Sequence, residues 1–400
     1  MGPIPTVNIT NYEAAHEIFV KNGKYCADRQ VPPIMEHATG GHGLIFANGE
    51  EWSEMRKFTL GAFRKLGVGS FQIETKVMDE LNGRCSEIDL EISKTGRAIV
   101  SVDFFNLTVG SVINSLLVGK RFDENSKEEF LTIKKLFDAA GETFHLFDMP
   151  VPVWILQWFF PRRYKLTMSS LKNVMDHVSR EAVHRQTLLE AGEYEINSDE
   201  PKDFVDVFLD KMRTEKGEEN VGHPRYSMES LKVVLQDLWQ AGQGTTATTL
   251  YVGFIKLVAH PEIILKIREE LLVVTQNHSR DVSLGYISSA DYILEPGTLM
   301  AAQLGALHVN EELFENPDEF DPERYLRDDK LLQQIIPFGV GKRSCVGEQL
   351  AKAELYLVIA NILLRYQIKP HGPIPTNEDI FPYGSVKLPD TSGGLEFTKY

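Results

Sequence analysis

Apolar residues recur at helical spacing over most of the chain up to His260, which predicts a mainly α protein. Helices are predicted over residues 103–118, 128–144, 166–189 and 203–212, and the polar stretch 213–225 predicts a surface connection. Residues 6–10 alternate like a short strand, and strand-like pieces return at 291–293, 298–303 and 385–388. The pattern indicates a helical body with a small β-rich portion near the N-terminus and at 285–305 and 380–400, and a chain of 400 residues can form one large domain or two.

The longest predicted helix runs from about residue 227 to residue 260, before Pro261, and spans on the order of 50 Å. Its large apolar residues are replaced in the middle by Ala241-Gly242-Gln243-Gly244-Thr245-Thr246. A glycine inside a helix costs about 1 kcal/mol relative to alanine, so the small residues need a reason. A flat ligand against the helix and a close crossing with another helix would each explain them.

A glycine-rich loop, residues 337–347, brings Cys345 to the start of a helix predicted over 348–363. The N–H groups and positive dipole of the helix start, with Arg343 nearby, predict a lowered pKa for the Cys345 thiol. Gly341 and Gly347 lack side chains on either side, which lets a flat ligand approach the backbone. These residues indicate a thiolate held against a metal.

Two other interpretations of the same residues are weaker. The run Gly339-Val340-Gly341-Lys342 is similar to the end of a phosphate-binding loop, but that motif requires Ser or Thr where Arg343 stands. A single cysteine is usually a small core residue, and we interpret Cys26 and Cys85 in that way. With three cysteines and no CxxC spacing, the chain predicts neither a disulfide framework nor a zinc site.

The loop resembles a known family signature. Phe338, Gly341, Arg343, Cys345 and Gly347 match the F-x-x-G-x-R-x-C-x-G pattern of the cytochrome P-450 superfamily, which are haem-thiolate monooxygenases. The resemblance implies a cytochrome P-450 fold in a shortened form, as a single domain of residues 1–400. It further implies a bound haem (iron protoporphyrin IX), with Cys345 as the metal ligand and the other four residues beside the cofactor.

The centre of the long helix resembles the family's oxygen-binding A-G-x-[D/E]-T-T groove. The resemblance implies that Ala241 and Gly242 border the haem and that Thr245, with Thr246 beside it, takes part in catalysis by binding dioxygen and passing protons to it. The sequence departs from the pattern at Gly244, where the family has an acid. We expect the loss of this carboxylate to weaken the proton relay.

A third segment begins at Asn48, which we expect to cap a helix on which Trp52 and Arg56 lie one turn apart. It is similar to the family's W-x-x-x-R motif, in which the arginine binds a haem propionate and the tryptophan packs beside it. Arg343 would bind the second propionate, because a guanidinium can pair bidentately with a carboxylate. An ordinary amphipathic surface helix is the alternative.

The charge of the chain constrains its partners. The net charge of −15 argues against nucleic acid as a partner, because a phosphate-binding surface needs a basic excess. A local basic patch is predicted from Lys57, Arg64, Lys65, Lys342 and Lys352. In the family this face docks an acidic flavoprotein reductase that delivers electrons from NADPH. The other partners that the resemblance implies are O2 and a small apolar organic substrate, bound by the 31–46 loop, the 239–246 helix face and the turn at 381–385.

The stretch 151–160 is rich in Trp and Phe and is followed by Arg162 and Arg163, which suits a bilayer interface. A buried loop or helix is the alternative. Family resemblance favours peripheral membrane contact and a place at the cytoplasmic face of the endoplasmic reticulum membrane. The N-terminus, however, shows neither a membrane anchor nor a signal peptide, so a cytoplasmic location stays open.

The resemblance fails in one interval. The P-E-R-F-like segment around Arg324 normally meets the Glu and Arg of an upstream E-x-x-R helix, but no E-x-x-R motif occurs between Pro261 and Thr298. We therefore expect Arg324 to lack its usual partners, at a cost of several kcal/mol if it is buried. Two alternatives to a monooxygenase remain at this point: a haem-binding protein without that activity, such as an isomerase or a sensor, and a truncated, non-functional family member.

Overall fold

The computed structural model describes residues 6–123, 126–143, 150–216, 225–275, 299–302, 304, 308, 310–311, 313–317, 319–328, 330–375 and 394–400. Its helices are α1 (Tyr12–His16), α2 (Pro33–Thr39), α3 (Gly49–Lys65), α4 (Phe71–Thr95), α5 (Val102–Val118), α6 (Lys127–Thr143), α7 (Val153–Phe159), α8 (Pro161–Val178), α9 (Arg180–Glu190), α10 (Phe204–Lys216), α11 (Met228–Ala259), α12 (Pro261–Val274), α13 (Arg324–Arg327), α14 (Lys330–Gln334) and α15 (Glu348–Arg365). A π-helical turn, Glu17–Lys21, follows α1.

Helix α11 is the axis of the helical body. Ser227 caps its N-terminus through a reciprocal pair of hydrogen bonds with Ser230, and His260 ends it before Pro261 begins α12. The helix packs against α5, α8, α12 and α15. Most of its side chains before Gln240 and after Thr249 are buried. Its apolar residues belong to one hydrophobic core that extends from Leu44 to Phe397. The predicted central helix is confirmed.

Two small sheets complete the described fold. Strands β1 (Thr6–Ile9) and β3 (Leu299–Ala302) pair in parallel. Strands β2 (Ala98–Val100), β5 (Gly394–Lys399) and β4 (Tyr366–His371) form an antiparallel sheet with β5 in the centre. A mainly helical protein with a small β-rich portion is therefore confirmed, and strand β1 lies where the alternation predicted it.

Some boundaries differ from the prediction. The single helix predicted over 166–189 is two helices, α8 and α9, because the backbone departs from helical geometry at Ser179 (φ −95°, ψ 0°), whose hydroxyl donates to the Met175 carbonyl at 2.7 Å. Helix α10 continues to Lys216, four residues into the stretch predicted as a connection. The strands expected at 291–293 and 385–388 lie outside the described residues.

Candidate functional site

The loop before α15 holds Cys345 at the start of that helix, as the sequence predicts. The Cys345 N–H donates to the Phe338 carbonyl at 2.9 Å, and the Ser344 N–H donates to the Gly341 carbonyl at 3.1 Å. Gly347 follows as the N-terminal cap residue of α15, and a Cβ on it would lie 3.9 Å from the Cys345 sulfur. Cys345 is exposed, so its Sγ can reach a ligand.

The predicted lowering of the Cys345 pKa is wrong, because the protein raises this pKa. Partial burial of the thiol raises its pKa above the ordinary value, and the Glu348 carboxylate adds to this; the Gly347 N–H and Arg56 act in the opposite direction. Arg343, which was expected to favour the thiolate, points its guanidinium at loop carbonyls instead.

Gly341 is required by packing within the protein. Its φ of +78° is in the left-handed region, and a Cβ there would lie 1.8 Å from the carbonyl oxygen of Phe19. The π-helical turn therefore passes directly against the cysteine loop. This contact explains the glycine without a ligand, and its place beside the cofactor stays a prediction. Phe338, on the same loop, lies half-buried under the Lys352 ammonium at 5.5 Å.

Trp52 and Arg56 lie one turn apart on α3, and both face the cysteine loop. The Arg56 Nη2 donates to the Ser344 Oγ at 3.2 Å, next to Cys345. Trp52 is buried, and the Arg343 guanidinium lies over its indole at 3.7 Å from Cζ to the ring centroid. Four residues predicted as a site, Trp52, Arg56, Arg343 and Cys345, are therefore neighbours.

Arg343 is already held by the protein. Its Nε donates to the Ala27 carbonyl at 2.5 Å, its Nη1 to the Leu44 carbonyl at 3.3 Å, and its Nη2 to the Ala47 carbonyl and the Asn48 Oδ1 at 2.8 Å each. A guanidinium has five N–H groups, so one remains. The bidentate pairing expected of Arg343 does not fit this arrangement. Among the described residues only Ser344 accepts from Arg56, at Nη2, which leaves N–H groups on both of its terminal nitrogens for a ligand.

Sequence reasoning missed Arg29, a third cation in this cluster. Its Nη1 donates to the Ile45 carbonyl at 3.0 Å, beside the Leu44 carbonyl that binds Arg343. Burial, with the charges of Arg29 and Arg56, lowers the pKa of Arg343 to about 10, although the Asp28 carboxylate acts in the opposite direction. Like charges this close favour an anion among them. Only the charge of Arg29 itself could have indicated it, because the loop around it has no periodicity.

One strip in the middle of α11 is exposed, although most of the large apolar side chains of this helix are buried. Gln240, Ala241, Thr245 and Thr249 are exposed, and they recur at the spacing of one helix face. The Thr245 hydroxyl donates to the Ala241 carbonyl at 2.6 Å. Thr246 is buried on the other side of the helix, as is Trp239, which stacks on Phe137.

The two glycines of this region differ in their surroundings. A Cβ on Gly242 would lie 3.0 Å from the Ile113 side chain, so Gly242 permits the close crossing of α11 with α5. The neighbouring Gln243 amide donates to Asn106 of α5 at 3.0 Å. A Cβ on Gly244 would meet nothing within 4 Å. Packing explains Gly242, whose role beside the cofactor stays a prediction, but it does not explain Gly244.

Asp237 on α11 anchors the loop that was predicted to line the substrate pocket. Its Oδ2 accepts from the Leu44 N–H at 2.6 Å and the Ile45 N–H at 3.0 Å. Complete burial raises the pKa of Asp237 to about 6, although both N–H groups and Arg29 favour its ionised form. Sequence reasoning missed this anchor, because Asp237 and the loop are far apart in the chain. The other predicted pocket segment, 381–385, lies outside the described residues.

Arg324 has partners, contrary to the expectation. It is buried, and its guanidinium donates to four carbonyls, those of Asp321, Glu315, Asn316 and Glu319, at 2.8–3.0 Å. The surrounding turn therefore satisfies the cation by its own backbone, and the predicted cost of an unpaired charge is wrong. The interval without an E-x-x-R motif lies mostly outside the described residues.

The aromatic stretch at 151–160 is exposed rather than buried. Trp154, Trp158 and Phe159 in or at the end of α7 are 60%, 81% and 69% exposed, while Leu156 packs inward. Among the described helices we find none with the length and apolar character needed to cross a bilayer.

The residues present fit a haem. Cys345 offers a reachable sulfur, three arginines offer N–H groups and positive charge for two carboxylates, and the open strip of α11 offers a surface without large side chains. Thiolate is a known axial ligand of haem iron, and guanidinium matches propionate chemistry.

The sequence is similar to those of known proteins. The sequence profile described as Cytochrome P450 matches residues 1–289 and 287–392. The chain is 55% identical over 431 positions to "Probable cytochrome P450 cyp-35D1" of Caenorhabditis elegans, covering 100% of this chain and 86% of the relative. It is 30% identical to cytochrome P450 2C41 of Canis lupus familiaris and 31% identical to cytochrome P450 2C14 of Oryctolagus cuniculus, each covering 92% of this chain and 80% of the relative.

The comparisons also bear on the shortened form. The alignment with the nematode protein is 431 positions long although this chain has 400 residues, so that relative has segments without a counterpart here. The two stretches that match the profile meet at 287–289, inside the interval that lacks an E-x-x-R motif.

Proposed function

The chain belongs to the cytochrome P450 family of haem-thiolate monooxygenases, and on that premise we propose that it inserts one oxygen atom from O2 into a small apolar organic substrate with electrons from NADPH through a flavoprotein reductase. The observation that carries this proposal is the exposed Cys345 at the start of α15, next to Arg56 and Arg343. The family match is independent support.

Haem, when bound, supplies the oxidation chemistry, and the protein holds and orients the reactants. Cys345 donates its sulfur to the metal. Arg56, whose N–H groups are mostly unused by the described residues, would bind a carboxylate of the cofactor, and Arg29 and Arg343 would supply further N–H groups and positive charge for such a carboxylate. Phe338, Gly341 and Gly347 shape the cysteine loop.

Thr245 is the residue to which we assign proton handling. Its Oγ1 is exposed on the open strip and donates to the Ala241 carbonyl, so it can exchange that partner for a polar reactant. Thr246, on the buried side, supports the position of Thr245 through packing. Gly244 offers no carboxylate to resupply the proton, and its open surroundings leave room for water to do so.

The substrate pocket lies between α11 and the 31–46 loop in this proposal. Asp237 fixes the loop at Leu44 and Ile45, and Ile34 and Met35 of α2 pack with Leu156 of α7. The apolar character of these residues favours a small apolar substrate.

In this proposal the reductase docks on the predicted basic patch. The five side chains of this patch are all exposed: Lys57, Arg64, Lys65, Lys342 and Lys352. Two of them are partly neutralised, since Lys352 pairs with Glu348 at 2.6 Å and Lys57 lies 3.8 Å from Glu54. We expect an acidic partner to be steered here at a rate that falls with salt.

We place the protein at the cytoplasmic face of the endoplasmic reticulum membrane, with α7 in contact with the lipid. The exposed Trp154, Trp158 and Phe159 and the following Arg162 suit the bilayer interface. Replacing the three aromatic residues with serine should release the protein from lipid vesicles.

The test of the proposed function is turnover with isotopically heavy O2. The full chain, NADPH and a flavoprotein reductase are incubated with small apolar aromatic hydrocarbons, and the hydroxylated products are analysed by mass spectrometry. The proposal predicts reductase-dependent product that carries one heavy oxygen atom, with the second atom of each O2 reduced to water by the electrons of NADPH, and no such product from Cys345→Ser. Stoichiometric haem without any turnover would favour the haem-binding alternative instead.

A further inference from the structure

Asn48 stands at the N-terminal cap position of α3 but does not cap the helix. Its backbone is extended, with φ −131° and ψ 173°, and its side chain makes no capping hydrogen bond. Asparagine is among the best capping residues, and a cap is worth about 1 kcal/mol to a helix. The side chain is used for something other than helix stability.

The amide of Asn48 joins three separate segments. Its Oδ1 accepts from the Arg29 N–H and from the Arg343 Nη2, both at 2.8 Å, and its Nδ2 donates to the Arg29 carbonyl at 2.8 Å. The next residue, Gly49, donates its N–H to the Asp28 Oδ1 at 3.0 Å. Residues 28–29 are thus clasped to residues 48–49, and the clasp is joined to the loop that carries Cys345.

The clasp holds like charges side by side. The Arg29 and Arg343 guanidinium groups bind the consecutive carbonyls of Ile45 and Leu44, and Arg56 lies one turn beyond Trp52 on the same helix. Their mutual repulsion opposes this arrangement unless other contacts impose it. An anion that enters the cluster then meets cations that need no rearrangement.

We propose that Asn48 is a positioning residue of the cofactor site, which presents Arg29 and Arg343 together to the carboxylates of the haem. This inference rests on the proposed function. The neutral amide accepts a hydrogen bond from Arg343 without cancelling its charge, whereas an aspartate would accept the same bond and compete with the cofactor for the cations.

The first test is Asn48→Asp in the full chain. The carboxylate keeps both acceptor contacts and relieves the repulsion between the cations, but it loses the Nδ2 donor to the Arg29 carbonyl. These effects oppose each other, so the thermal midpoint of the haem-free chain should stay within about 3 °C of wild type. Haem should leave the protein roughly tenfold faster, measured by transfer to apomyoglobin, because about one charge-assisted interaction is lost. A merely structural role predicts a larger fall in the thermal midpoint of the haem-free chain together with the loss of haem retention, and that result would overturn the proposal.

The second test separates carboxylate recognition from the sulfur–iron bond. Metal-free protoporphyrin IX and its dimethyl ester are titrated against the full chain, with quenching of tryptophan fluorescence as the readout. Wild type should prefer the diacid by roughly tenfold, and Asn48→Asp should reduce that ratio to about one. Asn48→Ala, which adds no charge, should reduce it by roughly threefold while leaving the affinity for the diester unchanged. Equal weakening of both ligands would overturn the proposal.

A matched control keeps helix capping apart from positioning. Ser101 caps α5 through its Oγ, away from the cations, so Ser101→Ala should lower the thermal midpoint and leave the diacid preference unchanged. If wild type itself shows no diacid preference, both this inference and the proposed haem site are overturned. If wild type shows it and the Asn48 variants keep it, this inference alone fails.

Discussion

The guanidinium of Arg343 lies over the buried indole of Trp52, 3.7 Å from Cζ to the ring centroid. Through this contact the loop that carries Cys345 rests on α3, the helix that also carries Arg56. Arg343 can do so because it is planar and because its Nε and both terminal nitrogens bind loop acceptors. The position of the cysteine therefore depends on the contacts that Arg343 makes within the protein.

Arg343→Lys should destabilise the protein. An ammonium cannot reach the separate acceptors that the guanidinium joins and cannot stack on Trp52, so we expect a loss of about 2–4 kcal/mol in the free energy of unfolding. Urea titration followed by circular dichroism measures it. Arg64→Lys, on the exposed side of α3, is the control and should change stability by less than about 0.5 kcal/mol. Equal effects of the two changes would contradict this account.

Asp237 should make stability depend on pH. Its pKa is about 6 in the folded chain against an ordinary 3.8, so the folded state binds the proton more tightly than the unfolded state. The stabilisation is complete below about pH 4 and is lost as pH rises through about 6, a change of roughly 3 kcal/mol.

Asp237→Asn removes this titration and keeps an oxygen that can accept from Leu44 and Ile45. The difference in unfolding free energy between variant and wild type should therefore grow in favour of the variant between pH 4 and pH 7. Parallel stability curves over that range would show that Asp237 is not perturbed in this way.

Gly242 and Gly244 form a matched pair two residues apart on α11. Gly244→Ala should stabilise the protein by about 1 kcal/mol, because the added methyl meets open space and alanine favours a helix. Gly242→Ala gains the same propensity but presses on Ile113 at 3.0 Å, so it should gain nothing or lose stability. Thermal unfolding of the two variants decides, and equal stabilisation would refute the close crossing with α5.

A buried network of ion pairs joins α9 to the start of α10. Arg185 of α9 donates to the Asp203 carboxylate at 2.6 Å and to the Asp206 carboxylate at 2.9 Å, and these three side chains are buried. Arg185→Met should cost about 3–5 kcal/mol in the free energy of unfolding, because two buried carboxylates lose their cation.

The exposed pair of Lys120 with Glu181, at 2.6 Å, provides the comparison. Lys120→Met should cost less than about 1 kcal/mol, because water screens that pair. Chemical denaturation of both variants measures the difference, and similar costs would mean that the buried network is not a source of stability.

Much of the site could be predicted because it rests on local spacing. Cys345 at a helix start and Trp52 one turn from Arg56 follow from the sequence alone. Asn48, Asp237 and Arg29 could not be found in that way, because their roles depend on side chains and backbone groups that are distant in sequence. The same reason explains why Gly341 was assigned to a ligand when it accommodates the Phe19 carbonyl, and why Arg324 was expected to be unpaired.

In the fold, too, sequence periodicity predicts some features and misses those that depend on packing. Periodicity located α5, α11 and α15 within a few residues, because each buries a continuous apolar face. It joined α8 to α9, because apolar spacing continues across Ser179 while the backbone does not. The crossing of α11 with α5 needed the packed structure, since an open Gly244 and a crowded Gly242 are identical in sequence.

The central claim is that Cys345 holds haem iron as a thiolate in this chain, and a reduced, carbon-monoxide difference spectrum of the protein expressed with haem tests it most directly. The account predicts a strongly red-shifted Soret band that disappears in Cys345→Ser. A band typical of a histidine ligand, or no bound haem in a folded protein, would contradict it.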